Sequence, residues 1–253
     1  MGKIIAIANQ KGGVGKTTTA VNLCATLTQL GFKTLLCDMD PQGNATSGLG
    51  VKKDKSADSM YNVLIEGVDI ESIVVKTANC DVLPSNQVLS GAGIELVNIE
   101  EREYVLKNAL EKIRDKYDFI LIDCPPSLEM LTLNSLCAAD SVLVPVQCEY
   151  FALEGLSDLM SSIRMTKKAL NPALVLEGVV LTMYDSRTNF SSQVADEIKR
   201  FFKEKTFNTV IPRSIRLAEA PSHGVAILDY DKTSRGAEAY MALGREVKKR
   251  NNL

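Results

Sequence analysis

Asn9-Gln10-Lys11-Gly12-Gly13-Val14-Gly15-Lys16-Thr17-Thr18 is the stretch around which the 253-residue chain is organised. Before it, Lys3-Ile4-Ile5-Ala6-Ile7-Ala8 is a nearly continuous apolar run, the pattern of a strand buried on both faces of a parallel sheet. After it, Ala20, Leu23, Leu27 and Leu30 recur at helical spacing, and Gly31 supplies a stop, which predicts a helix over 19–30. Strand, glycine-rich turn and helix with Gly15-Lys16-Thr17 at the junction is the layout of a nucleotide phosphate loop. Small residues let the backbone N–H groups of Lys11, Gly12, Gly13, Val14, Gly15, Lys16, Thr17 and Thr18 converge on phosphate oxygens, and the helix N-terminus adds positive potential. In such a loop Lys16 reaches the β- and γ-phosphates and the Thr17 hydroxyl ligates Mg²⁺. A dinucleotide reading of Gly13-x-Gly15 fails because Thr18 stands where the third glycine belongs.

The loop departs from the standard pattern at Gln10, where a glycine is expected, and carries a second lysine at Lys11. With this deviant Walker A motif the sequence resembles the ParA/MinD superfamily of P-loop ATPases. The resemblance implies a doubly wound, mostly parallel α/β sheet of the P-loop NTPase fold. It also implies ATP and Mg²⁺ as cofactors, and an ATP-dependent homodimer in which Lys11 reaches the partner's ATP.

Composition sets bounds on this reading. The length suits one α/β domain over 1–253, and 45% hydrophobic with 24% charged residues is ordinary for a soluble globular chain. A net charge of −2 excludes a wholesale basic nucleic-acid binder without excluding a local patch. No apolar run approaches membrane-spanning length, and Ile4–Ala8 reads as strand rather than signal peptide, so a cytoplasmic location is expected. Six cysteines (Cys24, Cys37, Cys80, Cys124, Cys137, Cys148) form no C-x-x-C pair, and the lone histidine is His223. Buried reduced thiols are the expectation. A cluster like that of the nitrogenase iron protein, which shares the deviant loop, is disfavoured because Pro125-Pro126 follows Cys124.

Two further strand ends deliver carboxylates. Thr34-Leu35-Leu36-Cys37 leads into Asp38-Met39-Asp40-Pro41-Gln42-Gly43-Asn44, and Phe119-Ile120-Leu121-Ile122 leads into Asp123. Strand C-termini share the sheet edge of the phosphate loop, although the first segment is also rich in turn formers. The family resemblance makes Asp40 the water-positioning residue, Asp38 a support for Mg²⁺ and the loop, and Asp123 the Walker B acid. Asp-x-Asp-Pro-Gln-Gly-Asn resembles the chromosome- and plasmid-partitioning branch in particular. Catalysis then falls to Lys11, Lys16 and Asp40, and the metal to Thr17, Asp38 and Asp123.

Elsewhere the pattern predicts a short helix from Ser59 to Glu66 capped by Asp58, and a long amphipathic helix over 99–117 preceded by Ser90-Gly91-Ala92-Gly93. A switch helix is expected over 128–139, a strand over 141–146, a helix over 156–169 and a strand over 173–183. Glu149 and Phe151 are expected near the dimer face. By resemblance, Met183, Pro212 and Arg213 would flank the adenine.

From Arg187 to Arg216 seven basic residues face three acidic ones, a local balance of +4. Such a stretch suits sequence-independent DNA binding, although a solvated helix face has the same composition. The resemblance to Soj-type relatives favours DNA, with Arg187, Lys199, Arg200, Lys203 and Arg216 as contacts. It further implies nonspecific double-stranded DNA and a ParB-type centromere-binding protein as partners, and a nucleoid-associated location. A MinD-like membrane ATPase is the alternative, but the tail, Arg245-Glu246-Val247-Lys248-Lys249-Arg250-Asn251-Asn252-Leu253, lacks bulky apolar residues to insert. The chain begins at the first strand, so no N-terminal operator-binding module is expected. A signalling kinase of the superfamily would need a tyrosine-rich tail, which is not seen here.

Overall fold

The computed structural model of the chain describes residues 1–149 and 152–253. Phe151, expected near a dimer face, lies outside them. In chain order the elements are β1 (Lys3–Ile7), α1 (Lys16–Gln29), β2 (Thr34–Asp38), α2 (Asn44–Gly48), β3 (Val75–Lys76), β4 (Asp81–Leu83), α3 (Leu89–Glu95) and α4 (Val105–Glu111). Then come β5 (Phe119–Asp123), α5 (Met130–Ala138), β6 (Ser141–Gln147), α6 (Ala152–Ala169), β7 (Val175–Tyr184), α7 (Asn189–Phe202), β8 (Thr206–Pro212), α8 (Ile215–Glu219), α9 (Ile227–Tyr230) and α10 (Arg235–Arg250). The strands form one sheet in the order β3-β4-β2-β5-β1-β6-β7-β8, parallel except where β3 meets β4. The chain therefore winds one way from β1 to β3 and the other way from β6 to β8, the doubly wound arrangement expected.

Alternation along the strands assigns the two faces. Ile4 and Ala6 of β1 join Leu35, Ile120 and Ile122 in one core, roofed by α3 to α7. Ile5 and Ile7 join Leu36, Leu121 and Leu143 in the other, roofed by α1, α2 and α8 to α10. Burial on both sides explains why β1, β2, β5 and β6 read as unbroken apolar runs. The final helix docks by Tyr240, Leu243 and Val247, all fully or almost fully buried, and Gly244 leaves the room that Thr26 of α1 fills. All six cysteines are buried and unpaired. Among the described residues no helix is long and apolar enough to cross a membrane.

Several local expectations are corrected. The helix expected over 99–117 is broken: Ile99 is extended, Glu101 takes a positive φ of 51°, and α4 is flanked by 3₁₀ turns at Arg102–Tyr104 and Arg114–Lys116. The cause is tertiary. Buried Asn134 of α5 accepts from Leu106 N (3.1 Å) and donates to the Arg102 carbonyl (2.9 Å), so it caps the chain where a continuous helix would bond to itself. Residues 90–93, which precede that region, lie inside α3 despite two glycines, because Leu89 and Ala92 enter the core. The turn after Ser59 is closed by Asn62, whose side chain accepts from Ser59 N (2.9 Å), rather than capped by Asp58, and it widens into a π-helix over Asn62–Glu66. Helices α1 and α6 begin earlier than expected, at Lys16 and Ala152.

Candidate nucleotide site

The glycine loop closes because Gly13 and Gly15 adopt φ values of 73° and 89°, the left-handed region that a side chain would strain. Gly15 thereby turns the chain directly into α1, whose first turn has neither a side-chain cap nor an acidic residue. The N–H groups of a fourteen-residue helix are thus left for an anion. Three contacts hold the loop, two of them to neighbouring strands. Thr182 Oγ1 donates to the Val14 carbonyl (2.8 Å), Asn9 Nδ2 donates to the Pro145 carbonyl (2.7 Å), and Asn9 Oδ1 accepts from Lys11 N (3.0 Å). Lys16 Nζ bridges back to the Lys11 carbonyl (3.1 Å). Lys16 is only 7% exposed, and burial lowers its pKa against the opposing pull of Asp123, Cys124 and Asp40.

Register places the acids. Asp38 and Asp123 are paired across β2 and β5, and Ile7 pairs with Asp123 across β1, so both carboxylates end at the edge from which the loop departs. Their environments differ. Asp38 Oδ2 accepts from Thr46 N (2.8 Å) and Thr46 Oγ1 (2.7 Å), and its Oδ1 accepts from Asp40 N (3.1 Å). Asp123 is fully buried, yet neither oxygen has a hydrogen-bond partner. A fully buried, unsatisfied carboxylate is costly unless a cation completes it. With the Thr17 hydroxyl close enough to oppose its pKa rise, Asp123 has the donor chemistry of a Mg²⁺ site. Asp38, accepting three hydrogen bonds from amides and a hydroxyl, positions the strand end and the turn after it. Asp40 Oδ1 accepts from Gln42 N (2.9 Å), the Asp40 carbonyl accepts from Ser85 Oγ (2.7 Å), and Oδ2 has no protein donor among the described residues.

These pKa shifts carry a sign. Burial raises Asp38 from 3.8 to about 6, and burial together with Asp38 raises Asp123. A carboxyl whose folded pKa lies above its unfolded one holds its proton better in the folded chain. Its stabilising contribution is complete below the unfolded value and lost as pH rises through the folded one. Calorimetry of the metal- and nucleotide-free protein should show melting temperature falling as pH rises above 3.8, with Asp38 contributing up to about 6 and Asp123 adding to the fall, so that the fall is shallower in Asp123→Asn. An identical slope in parent and variant contradicts the assignment.

Lys11 points away from its own loop. Its Nζ pairs with Glu149 Oε2 at 3.3 Å, with the two side chains 37% and 48% exposed. Gln147 also holds Glu149, so the lysine rests on the loop after β6. Glu149, expected near a dimer face, therefore sits beside Lys11 of the same chain.

Beside the phosphate loop, Gly15, Thr18, Met183, Pro212, Arg213 and Leu217 line a cavity of about 180 Å³. The three base-flanking residues expected from sequence converge here because β7 and β8 are adjacent, with Tyr184 opposite Pro212, and because Met183 turns at a positive φ of 50°.

The structure divides the basic stretch. Arg187 precedes α7, whereas Lys199 and Arg200 lie in its last turn and Lys203 follows it, about 20 Å away at 1.5 Å rise per residue. Arg187 is bidentate to Asp185 (2.9 and 2.7 Å), and Arg216 contacts Glu219 (3.1 Å) and Asp231 (3.7 Å). Thr46, Ser85 and Thr182, which hold Asp38, Asp40 and the loop, were not singled out in the sequence. Each is a lone hydroxyl with no periodic signal, and only the fold brings it to the site.

A glycine loop feeding a helix N-terminus, a buried lysine in its first turn and a buried free carboxylate on the adjacent strand together define a P-loop nucleotide-hydrolysing protein of the deviant Walker A kind. Residues 2–176 match the family model described as an AAA domain. The chain is 56% identical over 249 residues to the sporulation initiation inhibitor protein Soj of Bacillus subtilis, covering 98% of each chain. It is 49% identical over 249 residues to the chromosome-partitioning ATPase Soj of Treponema pallidum, covering 98% of this chain and 97% of that one. A solved structure described as cobyrinic acid a,c-diamide synthase from Mycobacterium smegmatis, with bound ATP analogue and magnesium, superposes with TM-score 0.88. It is 39% identical and is covered to 93%, against 97% of this chain. The chain belongs to the Soj/ParA family of chromosome-partitioning ATPases.

Proposed function

We propose that residues 1–253 act as one partitioning ATPase domain whose Mg²⁺·ATP-bound form dimerises face to face and grips DNA without reading sequence. The observation that carries the reading is the alignment of an uncapped α1 N-terminus, buried Lys16 and unpartnered Asp123 at one sheet edge, with Lys11 facing outward beside it. The chain is an ATPase that uses ATP and Mg²⁺. Thr17 and Asp123 would hold the metal, with Asp38 supporting the strand end. When bound, Mg²⁺ neutralises charge on the phosphate oxygens. Lys16 supplies a second positive charge from a site largely shut off from water, where such charge acts strongly. The 180 Å³ cavity lined by Met183, Pro212 and Arg213 suits the base. Asp40 offers its free Oδ2 to orient the attacking water. Among the described residues no strong base stands nearby, which fits slow turnover awaiting a ParB-type partner.

Lys11 gains a role only with a second subunit. On dimerisation it leaves Glu149 for the partner's phosphates, an exchange that costs little because an exposed ion pair is worth at most about 1 kcal/mol. DNA then binds through Arg187 and Arg216, with Lys199, Arg200 and Lys203 as a second, more distant cluster, placing the protein on the nucleoid in the cytoplasm. The membrane alternative is not favoured, because the apolar face of α10 is spent against α1 and β8.

Fluorescence anisotropy with duplex DNA tests this. Affinity should be higher with ATP than with ADP. Arg187→Ala with Arg216→Ala should reduce the salt slope by about 2 per protomer while ATP binding persists. Equal affinity in both nucleotides would sink the switch.

A further inference from the structure

Arg187, Arg213 and Arg235 converge on one surface hollow of about 420 Å³, together with Asp185 and Ser186. Arg235 opens α10, far along the chain from the basic stretch at 187–216, so sequence windowing does not group it there. The ion pairing of this face separates its cations. Arg187 is already held by Asp185, and Arg216 by Glu219 and Asp231. Among the described residues, neither Arg213 nor Arg235 makes an ion pair. The unneutralised positive charge of this edge therefore centres on the hollow, displaced from Arg216. Arg213 also lines the base cavity, so the two concavities share a wall.

We propose that this hollow seats a backbone phosphate of double-stranded DNA and that Arg235 is a DNA-contacting residue. The inference rests on the DNA-binding reading above and adds to it a place and a residue. A guanidinium suits the task because its planar fork matches two phosphate oxygens, and two such forks around a concavity fix a phosphate without touching a base. Ser186 adds a hydroxyl at the rim. The location gives a consequence: nucleotide filling the base cavity steadies Pro212–Arg213, and with it one wall of the phosphate seat.

The test is anisotropy with a duplex of mixed sequence, at several salt concentrations with ATP, on the parent, Arg235→Ala, Arg235→Lys, Arg187→Ala and Arg245→Ala. Losing one phosphate contact removes about 0.9 from the salt slope, equivalent to roughly 5- to 10-fold in affinity at 0.1 M salt. Arg235→Ala is expected to show that loss, with ATP affinity and DNA-free turnover unchanged. Arg235→Lys should keep the slope while losing part of the affinity. Arg245, exposed further along α10, serves as the control for bulk charge. A parental slope in Arg235→Ala, with Arg187→Ala impaired, overturns the seat and leaves the DNA reading standing. An equal loss in Arg245→Ala also overturns it, since the effect would then be net charge alone. Parental slopes in both Arg187→Ala and Arg235→Ala likewise overturn the seat, whereas a parent that binds no duplex with ATP overturns the DNA reading itself.

Discussion

Lys16→Ala is expected to lower ATP turnover at least a hundredfold and to weaken ATP binding, read by phosphate release and by titration calorimetry. Lys16 is nine-tenths buried at the head of α1, in the field of Asp123 and Asp40. Its charge has two tasks there. It would stabilise negative charge on the phosphates, where a hundredfold corresponds to about 2.7 kcal/mol of barrier. It also offsets the carboxylates: with the cation gone, Asp123 becomes still harder to ionise, which removes the anionic form a metal requires. Binding and turnover should therefore fall together. The variant also loses the bond from Lys16 Nζ to the Lys11 carbonyl, so the thermal melt is needed to separate loss of site from loss of fold. Lys16→Gln, which keeps most of the stem, should melt near the parent and still fail to turn over. Parental turnover in either folded variant would refute the assignment of this loop to nucleotide.

Why this site was legible in sequence while other parts were not has a physical explanation. Buried parallel strands read as apolar runs whatever surrounds them, and the residue ending each run is delivered to the sheet edge by register alone. Lys16, Asp38 and Asp123 could therefore be placed before any contact was known. The region over 99–117 was not legible, because its helix is interrupted by a side chain from α5 and no local pattern encodes Asn134. The charge balance of the basic stretch was hidden for a different reason. Charge counting sees neither the carboxylates that pair with Arg187 and Arg216 nor an arginine that arrives from the last helix. Gly50 and Gly224 make the same point in the backbone. A Cβ on Gly224 would lie 2.8 Å from the Gly50 Cα, and both glycines have positive φ. This close approach joins the turn after α2 to the segment behind Arg216, and neither glycine signals it in sequence.

Asp40→Ala should separate grip from release. Asp40 is held at three points: its N–H donates to Asp38, its carbonyl accepts from Ser85, and its Oδ1 accepts from Gln42 N. Two of these use the backbone and survive the substitution, so the strand end and the turn holding Thr46 should keep their course. The free Oδ2 is lost, and with it the acceptor that would orient water. Nothing that holds phosphate or metal on the present reading is removed, since Lys16, Thr17 and Asp123 stay in place. The expected result is ATP affinity within about threefold of the parent, turnover down about a hundredfold by analogy with other lost positioning contacts, and DNA binding with ATP that outlasts the parent's. Asp40→Asn sharpens the experiment, because it retains a carbonyl acceptor for Gln42 while lacking the carboxylate charge. If it too stalls, acceptance at Oδ2 matters, since the amide puts an N–H donor there; if it turns over, an acceptor at that position is dispensable. Prompt hydrolysis by Asp40→Ala would move the water-positioning role elsewhere in the site, and loss of ATP binding would instead make Asp40 part of the phosphate cradle.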